Sequence, residues 1–90
     1  MKISENPPFR RAVKRLHENQ KIDLFKAIKG VATNPLLGVA NKGDLIGVRV
    51  YKFRMIGQLM LLAYHYDEST QQIVLFGLGS HENFYRDLKN

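Results

Sequence analysis

Cysteine is missing from all 90 residues, which removes disulfides and thiolate chemistry from consideration. The histidines (His17, His65 and His81) lie far apart and lack any cysteine or His-x-x-x-His partner, so neither a metal site nor a cofactor is expected. No apolar run approaches the roughly 20 residues a membrane span requires. The opening Met1-Lys2-Ile3-Ser4-Glu5 leads into a charged amphipathic segment instead of an apolar signal core. A cytoplasmic protein with no membrane partner is the expectation. Repeats, linkers and low-complexity tracts are also lacking, so residues 1–90 read as a single domain. A domain this small buries only about 60% of the surface its unfolded chain exposes. It has no room for a deep interdomain cavity, and a site on it is a surface groove or is completed by another molecule.

What the chain does have is positive charge. The formal net charge is +6, and it is unevenly spread. Residues 1–54 hold twelve Lys/Arg against four Asp/Glu, a balance of +8, whereas residues 55–90 hold two against four. A basic surface of this kind suits a polyanion or an acidic protein.

Apolar spacing predicts the elements. Met1–Ser4 suggests a short strand, and Pro7-Pro8 marks a helix start. Phe9, Ala12, Val13 and Leu16 follow at i, i+3, i+4 and i+7, with Arg10, Arg11, Lys14 and Arg15 on the other side. Glu18-Asn19-Gln20 is expected to break this helix. A second one carries Ile22, Leu24, Phe25, Ile28, Val31 and Ala32 inward until Pro35 ends it. Leu36–Gly43 reads as a loop. Three strands follow at Val48–Met55, Leu59–Tyr66 and Gln72–Leu78, joined by turns at Ile56-Gly57-Gln58 and Asp67–Thr70. Ser80 then serves as N-cap of a short terminal helix. The fold class is α+β, a helical hairpin packed on a small twisted, mainly antiparallel sheet in the order β-α-α-β-β-β-α.

Two pairs of residues carry chemical interest. A terminal helix starting at Ser80 displays His81 and Tyr85 four residues apart, on one face. Along Val48–Met55 the side chains alternate, with Tyr51, Phe53 and Met55 pointing one way and Val50, Lys52 and Arg54 the other. With the aromatic set against the helices, Lys52 and Arg54 stand about 7 Å apart on the opposite face, where an anion between them relieves their repulsion. Arg49 has the other parity and borders the helix side or a partner surface.

These features together resemble the RelE/ParE superfamily of small bacterial toxins from type II toxin–antitoxin systems. The likeness covers essentially the whole chain. It rests on the element order, Asn34-Pro35, Gly43-Asp44-Leu45-Ile46-Gly47, Val50-Tyr51-Lys52-Phe53-Arg54-Met55, Leu62-Ala63-Tyr64 and the terminus Gly79-Ser80-His81-Glu82-Asn83-Phe84-Tyr85. The resemblance implies a metal-independent, ribosome-dependent mRNA endoribonuclease that inhibits translation. Its catalytic residues are Lys52, Arg54, His81 and Tyr85, with Arg49, Lys42 and Arg86 contacting RNA. Lys52 or His81 is the base, Arg54 holds the phosphate, His81 is the acid, and Tyr85 stacks on a base or shares the proton relay. One position departs from the pattern. Superfamily members commonly carry an arginine in the central strand after a Gly-x-Tyr turn, and Gly57-Gln58-Leu59-Met60 offers no cation there: either Arg49 or Arg86 substitutes, or transition-state stabilisation is weaker, or this branch acts otherwise. The resemblance further implies a cognate antitoxin, an acidic chain wrapping the basic surface. A gyrase inhibitor of the ParE type and a non-catalytic basic module that binds nucleic acid or protein are the competing functions.

Overall fold

The computed structural model describes residues 1–40 and 47–81. Its elements run β1 (Lys2–Glu5), α1 (Pro7–Lys14), α2 (Glu18–Thr33), β2 (Val39–Ala40), β3 (Val48–Met55), β4 (Gln58–Asp67) and β5 (Gln72–Ser80). The sheet order is β1-β5-β4-β3-β2. β2 through β5 form an antiparallel meander, and β1 closes the far side by pairing parallel with β5. The helical hairpin carries the chain from one sheet edge to the other, and the α+β architecture is the expected one.

Local chemistry sets the helix boundaries. Asn6 caps α1, its side-chain oxygen accepting from the Phe9 N–H at 3.0 Å, and the prolines occupy the first turn, where no N–H is needed. The break between helices falls at Arg15–His17, earlier than expected. Glu18-Asn19-Gln20 is the first turn of α2, because the Gln20 side chain reaches back to accept the His17 N–H at 2.7 Å and starts a new helix there. Thr33 is the last helical residue before Asn34-Pro35, as the proline predicts.

Between helices and sheet lies the main core: Phe9, Leu24, Ala27, Val31, Met55, Met60, Leu62, Tyr64, Ile73 and Leu75. Val13, Leu16, Ile28, Tyr51 and Phe53 pack against it. Three α2 residues assigned to this core are not in it, the half-buried Ala32 and two exposed ones. Ile22 and Phe25 are 56% and 54% exposed, because the stripe that α2 turns inward runs through Leu24, Ala27, Ile28 and Val31. A 100° step per residue puts positions 22 and 25 on the outer side of that stripe.

Three further differences bear on the site. Part of the expected loop Leu36–Gly43 is the edge strand β2, paired with Arg49 and Val50 of β3. The connection from α2 is fastened by Tyr64, whose hydroxyl donates to the Pro35 carbonyl at 2.6 Å and accepts from the Gly38 N–H at 2.9 Å. Third, β5 runs on through Ser80, which pairs with Met60. Beyond His81, the terminal helix expected after Ser80 lies outside the described residues.

Candidate anion site on the sheet

β3 places its side chains as its alternation predicts. Tyr51 and Phe53 stack with ring centroids 6.4 Å apart on the helix side, and Met55 is buried there. Lys52 and Arg54 are exposed on the opposite face, separated by the two-residue strand repeat of about 7 Å. That face is not open throughout. Val50, Leu61 and Ala63 form a second buried cluster on it, with Val48 and Phe76 packed alongside. The exposed cations therefore stand beside a small buried apolar cluster.

The strand register extends the site sideways. Lys52 pairs with Leu61, which pairs with Gly79, while Arg54 pairs with Leu59. The His81 N–H in turn donates to the Leu59 carbonyl at 3.3 Å. Arg54, Leu59 and His81 thus share one row across β3, β4 and the end of β5, with His81 two strand spacings (about 10 Å) from Arg54. Glycine at 79 leaves the neighbouring position of β5 without a side chain.

A bulge brings His81 to this row. Tyr64 pairs with Leu75 but Ala63 pairs with Gly77, so Phe76 is an extra residue in β5. Before it, odd-numbered Ile73 and Leu75 face the helices; after it, odd-numbered Gly77 and Gly79 line up with Ala63 and Leu61 on the other face. Strict alternation from Leu75 would have sent His81 to the helix side, and the inserted residue reverses that. The sequence signal was only Phe76-Gly77-Leu78-Gly79, an apolar run interrupted by two glycines.

The β3–β4 turn frames the site at the Arg54 end. It is a two-residue loop in which Ile56 and Gly57 both have positive φ, +48° and +79°. Glycine accepts this freely, but for a β-branched residue it costs about 1–3 kcal/mol. The Asp23 carboxylate of α2 accepts the Ile56 N–H at 2.8 Å, a charged hydrogen bond worth about 1.5–3 kcal/mol, enough to offset that cost. Within the hairpin, Arg54 Nη1 donates to the Gly57 carbonyl at 2.9 Å. Sequence reading marked the turn but gave no role to Asp23.

Arg49 stands apart from the row. Its parity is that of Tyr51, and its guanidinium donates to the Gly38 carbonyl at 2.7 Å and the Leu36 carbonyl at 3.4 Å, tying β3 to the segment after α2. A depression of about 230 Å³ beside it is bordered by Leu36, Val48, Tyr66 and Glu68, away from Lys52 and Arg54. Lys42, Tyr85 and Arg86 lie outside the described residues. Among the described residues no group of three or more metal-ligating side chains gathers, and no helix is long and apolar enough to cross a membrane.

A family model described as the ParE-like toxin of type II bacterial toxin-antitoxin systems matches residues 3–89. The chain belongs to the ParE-like toxin family. No curated protein matches the sequence. Two solved structures are similar to this ParE-like toxin in fold. One is the intact E. coli RelBE toxin-antitoxin complex, with a TM-score of 0.72, 14% identity, and 88% of this chain and 94% of that one covered. The other is a doubly substituted E. coli toxin RelE in complex with a peptide of the antitoxin RelBc, with a TM-score of 0.70, 12% identity, and 97% and 92% covered. These structures share its fold at low identity, and function in this ParE-like toxin has to be argued from its own side chains.

Proposed function

We propose that this ParE-like toxin is a ribosome-dependent mRNA endoribonuclease that inhibits translation. The supporting observation is the cationic face: Lys52 and Arg54 exposed on one side of the sheet, with His81 carried to the row of Arg54 by the register and the bulge. In the reaction that face suits, a base removes the proton from an RNA 2′-OH, whose oxygen attacks the adjacent phosphorus. The bond from phosphorus to the 5′-oxygen breaks, the 5′-oxygen takes a proton, and a 2′,3′-cyclic phosphate remains. Such a step needs a base, an acid and positive charge on the phosphorane. Arg54 supplies the charge, Lys52 the base, and His81, at the far end of the row, the acid for the leaving oxygen. Tyr85 assists by stacking or proton relay, and Lys42 and Arg86 guide the RNA strand, whereas Arg49, on the other face and bonded to the Gly38 carbonyl, does not share that role.

The partner follows from charge and from the fold neighbours, both of which are toxin–antitoxin complexes. A cognate antitoxin, acidic enough to wrap the +8 balance of residues 1–54, silences the toxin. Two other functions have some support. The ParE-like family description favours a gyrase inhibitor, and the lack of a cation in Gln58-Leu59-Met60 favours an inert binding module.

One experiment separates the three: mapping mRNA 5′ ends on translating ribosomes, run beside a gyrase–DNA cleavage-complex assay. Ribosome-dependent cuts that fall about 10²–10⁴-fold in Arg54→Ala and in His81→Ala are expected. Unchanged cleavage in His81→Ala overturns its acid role. Accumulated gyrase complexes, or ribosome binding without cuts, overturn the nuclease reading.

A further inference from the structure

The turn between β3 and β4 contradicts its own sequence preference. Two-residue turns with positive φ at both positions favour Asn, Asp or Gly, and a β-branched residue there is an outlier. This chain nevertheless keeps Ile56 at +48°. What holds it comes from the other layer of the molecule, thirty-three residues earlier: Asp23 Oδ2, 2.8 Å from the Ile56 nitrogen. One residue further along the turn, the Gly57 carbonyl takes a hydrogen bond from Arg54 at 2.9 Å. Asp23, the turn and Arg54 are therefore joined by two consecutive hydrogen bonds that cross from α2 to the far face of the sheet.

We propose that Asp23 is a positioning residue for the anion site, holding the strained turn so that its Gly57 carbonyl keeps the Arg54 guanidinium directed over the sheet. The inference rests on the reading of Arg54 as the phosphate-binding cation. A guanidinium has five N–H donors in a rigid fork. Fixing Nη1 against the Gly57 carbonyl orients the plane and leaves the remaining donors for a phosphate. An exposed arginine without such a tether spreads over many rotamers and must be ordered when substrate binds. The tether is only as well placed as its carbonyl, and that carbonyl sits in a turn whose first residue relaxes toward negative φ unless its N–H is held.

The mechanism makes Asp23 and Ile56 interdependent. Glycine at 56 adopts the turn without help, so removing Asp23 matters far less in an Ile56→Gly background. The tether needs an oxygen acceptor at position 23, so Asp23→Asn, which keeps a weaker neutral one, loses less than Asp23→Ala.

The test uses the full chain in five forms: wild type, Asp23→Ala, Asp23→Asn, Ile56→Gly and Asp23→Ala/Ile56→Gly. Two readouts are taken, the order parameter of the Arg54 Nε–H by ¹⁵N relaxation and the kcat and KM of mRNA cleavage on programmed ribosomes. Urea denaturation certifies that each form is folded. We expect the Arg54 order parameter to fall from the rigid range, about 0.8, to below about 0.6 in Asp23→Ala and to recover in the double variant. Cleavage by Asp23→Ala falls about 10- to 100-fold, mainly in kcat, and the double variant returns to within about threefold of Ile56→Gly. An unchanged Arg54 order parameter in folded Asp23→Ala, or an equal loss in both backgrounds, overturns the proposal. If Arg54→Ala cuts mRNA as well as wild type, the reading of Arg54 as the phosphate-binding cation fails on its own, and if wild type cuts nothing the nuclease reading fails; in both cases the order parameter still decides whether Asp23 positions Arg54.

Discussion

Tyr64 shows how one buried side chain can fasten an element that the fold would otherwise leave loose. Its ring is fully buried in the main core, while its hydroxyl bridges the Pro35 carbonyl and the Gly38 N–H. Gly38 has to be glycine, because a Cβ there would sit 2.7 Å from the Tyr64 hydroxyl oxygen. Burial pushes the phenol's pKa up from 10.0, outweighing the Gly38 hydrogen bond and the nearby Arg49 charge, which lower it. The folded chain therefore holds the Tyr64 proton more tightly than the unfolded chain. Its stabilising contribution is complete below the unfolded value of 10.0 and is lost as pH rises through the folded value. At neutral pH, Tyr64→Phe leaves the Gly38 N–H without its acceptor and costs about 1–3 kcal/mol in urea denaturation. Above pH 10 the wild type loses stability more steeply than Tyr64→Phe, and the two converge. Parallel pH profiles would refute this. The sequence shows Tyr64 within a leucine-rich strand but not its partners, since Pro35 and Gly38 are joined to it only by tertiary packing.

At the scale of elements, legibility depended on whether a local period survives intact. β3 keeps strict alternation from Val48 to Met55, so the faces of Lys52 and Arg54 could be read from spacing alone. β5 does not, because the inserted Phe76 reverses parity midway, and no pattern in the sequence states where a bulge falls. α2 misled in a different way. Ile22 and Phe25 are apolar yet lie outside the stripe set by Leu24, Ala27 and Val31, and composition alone does not reveal the rotation of a helix. The facing of His81 can be tested at this scale. Deleting Phe76 leaves Gly77 opposite Ala63 and so keeps His81 on its face, whereas deleting Ser80 puts His81 opposite Met60, on the helix side. Under the nuclease reading, the Ser80 deletion abolishes cleavage in a folded chain, while the Phe76 deletion retains most of it. Ribosomal cleavage assays, with circular dichroism to confirm folding, make the comparison. Equal activity in the two would show that the side His81 faces is irrelevant.

For the molecule as a whole, the question is which of its many cations meet RNA. The basic residues of α1 (Arg10, Arg11 and Lys14) and the pair on β3 lie on opposite sides of the sheet, with the main core between them. Arg10 is already engaged with Glu5 at 3.1 Å. The shortest dimension of the protein is 22 Å, whereas exposed charges are screened beyond about 8 Å at 0.15 M salt. A strand crossing the Lys52/Arg54 face therefore gains little from α1. Each cation contacting single-stranded RNA contributes about 0.7 to the slope of log affinity against log salt. Lys52→Ala and Arg54→Ala each flatten that slope by about this amount. Arg11→Ala and Lys14→Ala leave the slope for RNA unchanged but slow association with an acidic antitoxin, whose encounter is steered by the field of the whole basic half. Fluorescence anisotropy of a labelled RNA oligonucleotide across a salt series reads the slopes directly. Equal flattening by the α1 and β3 variants would place the RNA around the edge of the sheet, and the division of labour between its two faces would fall.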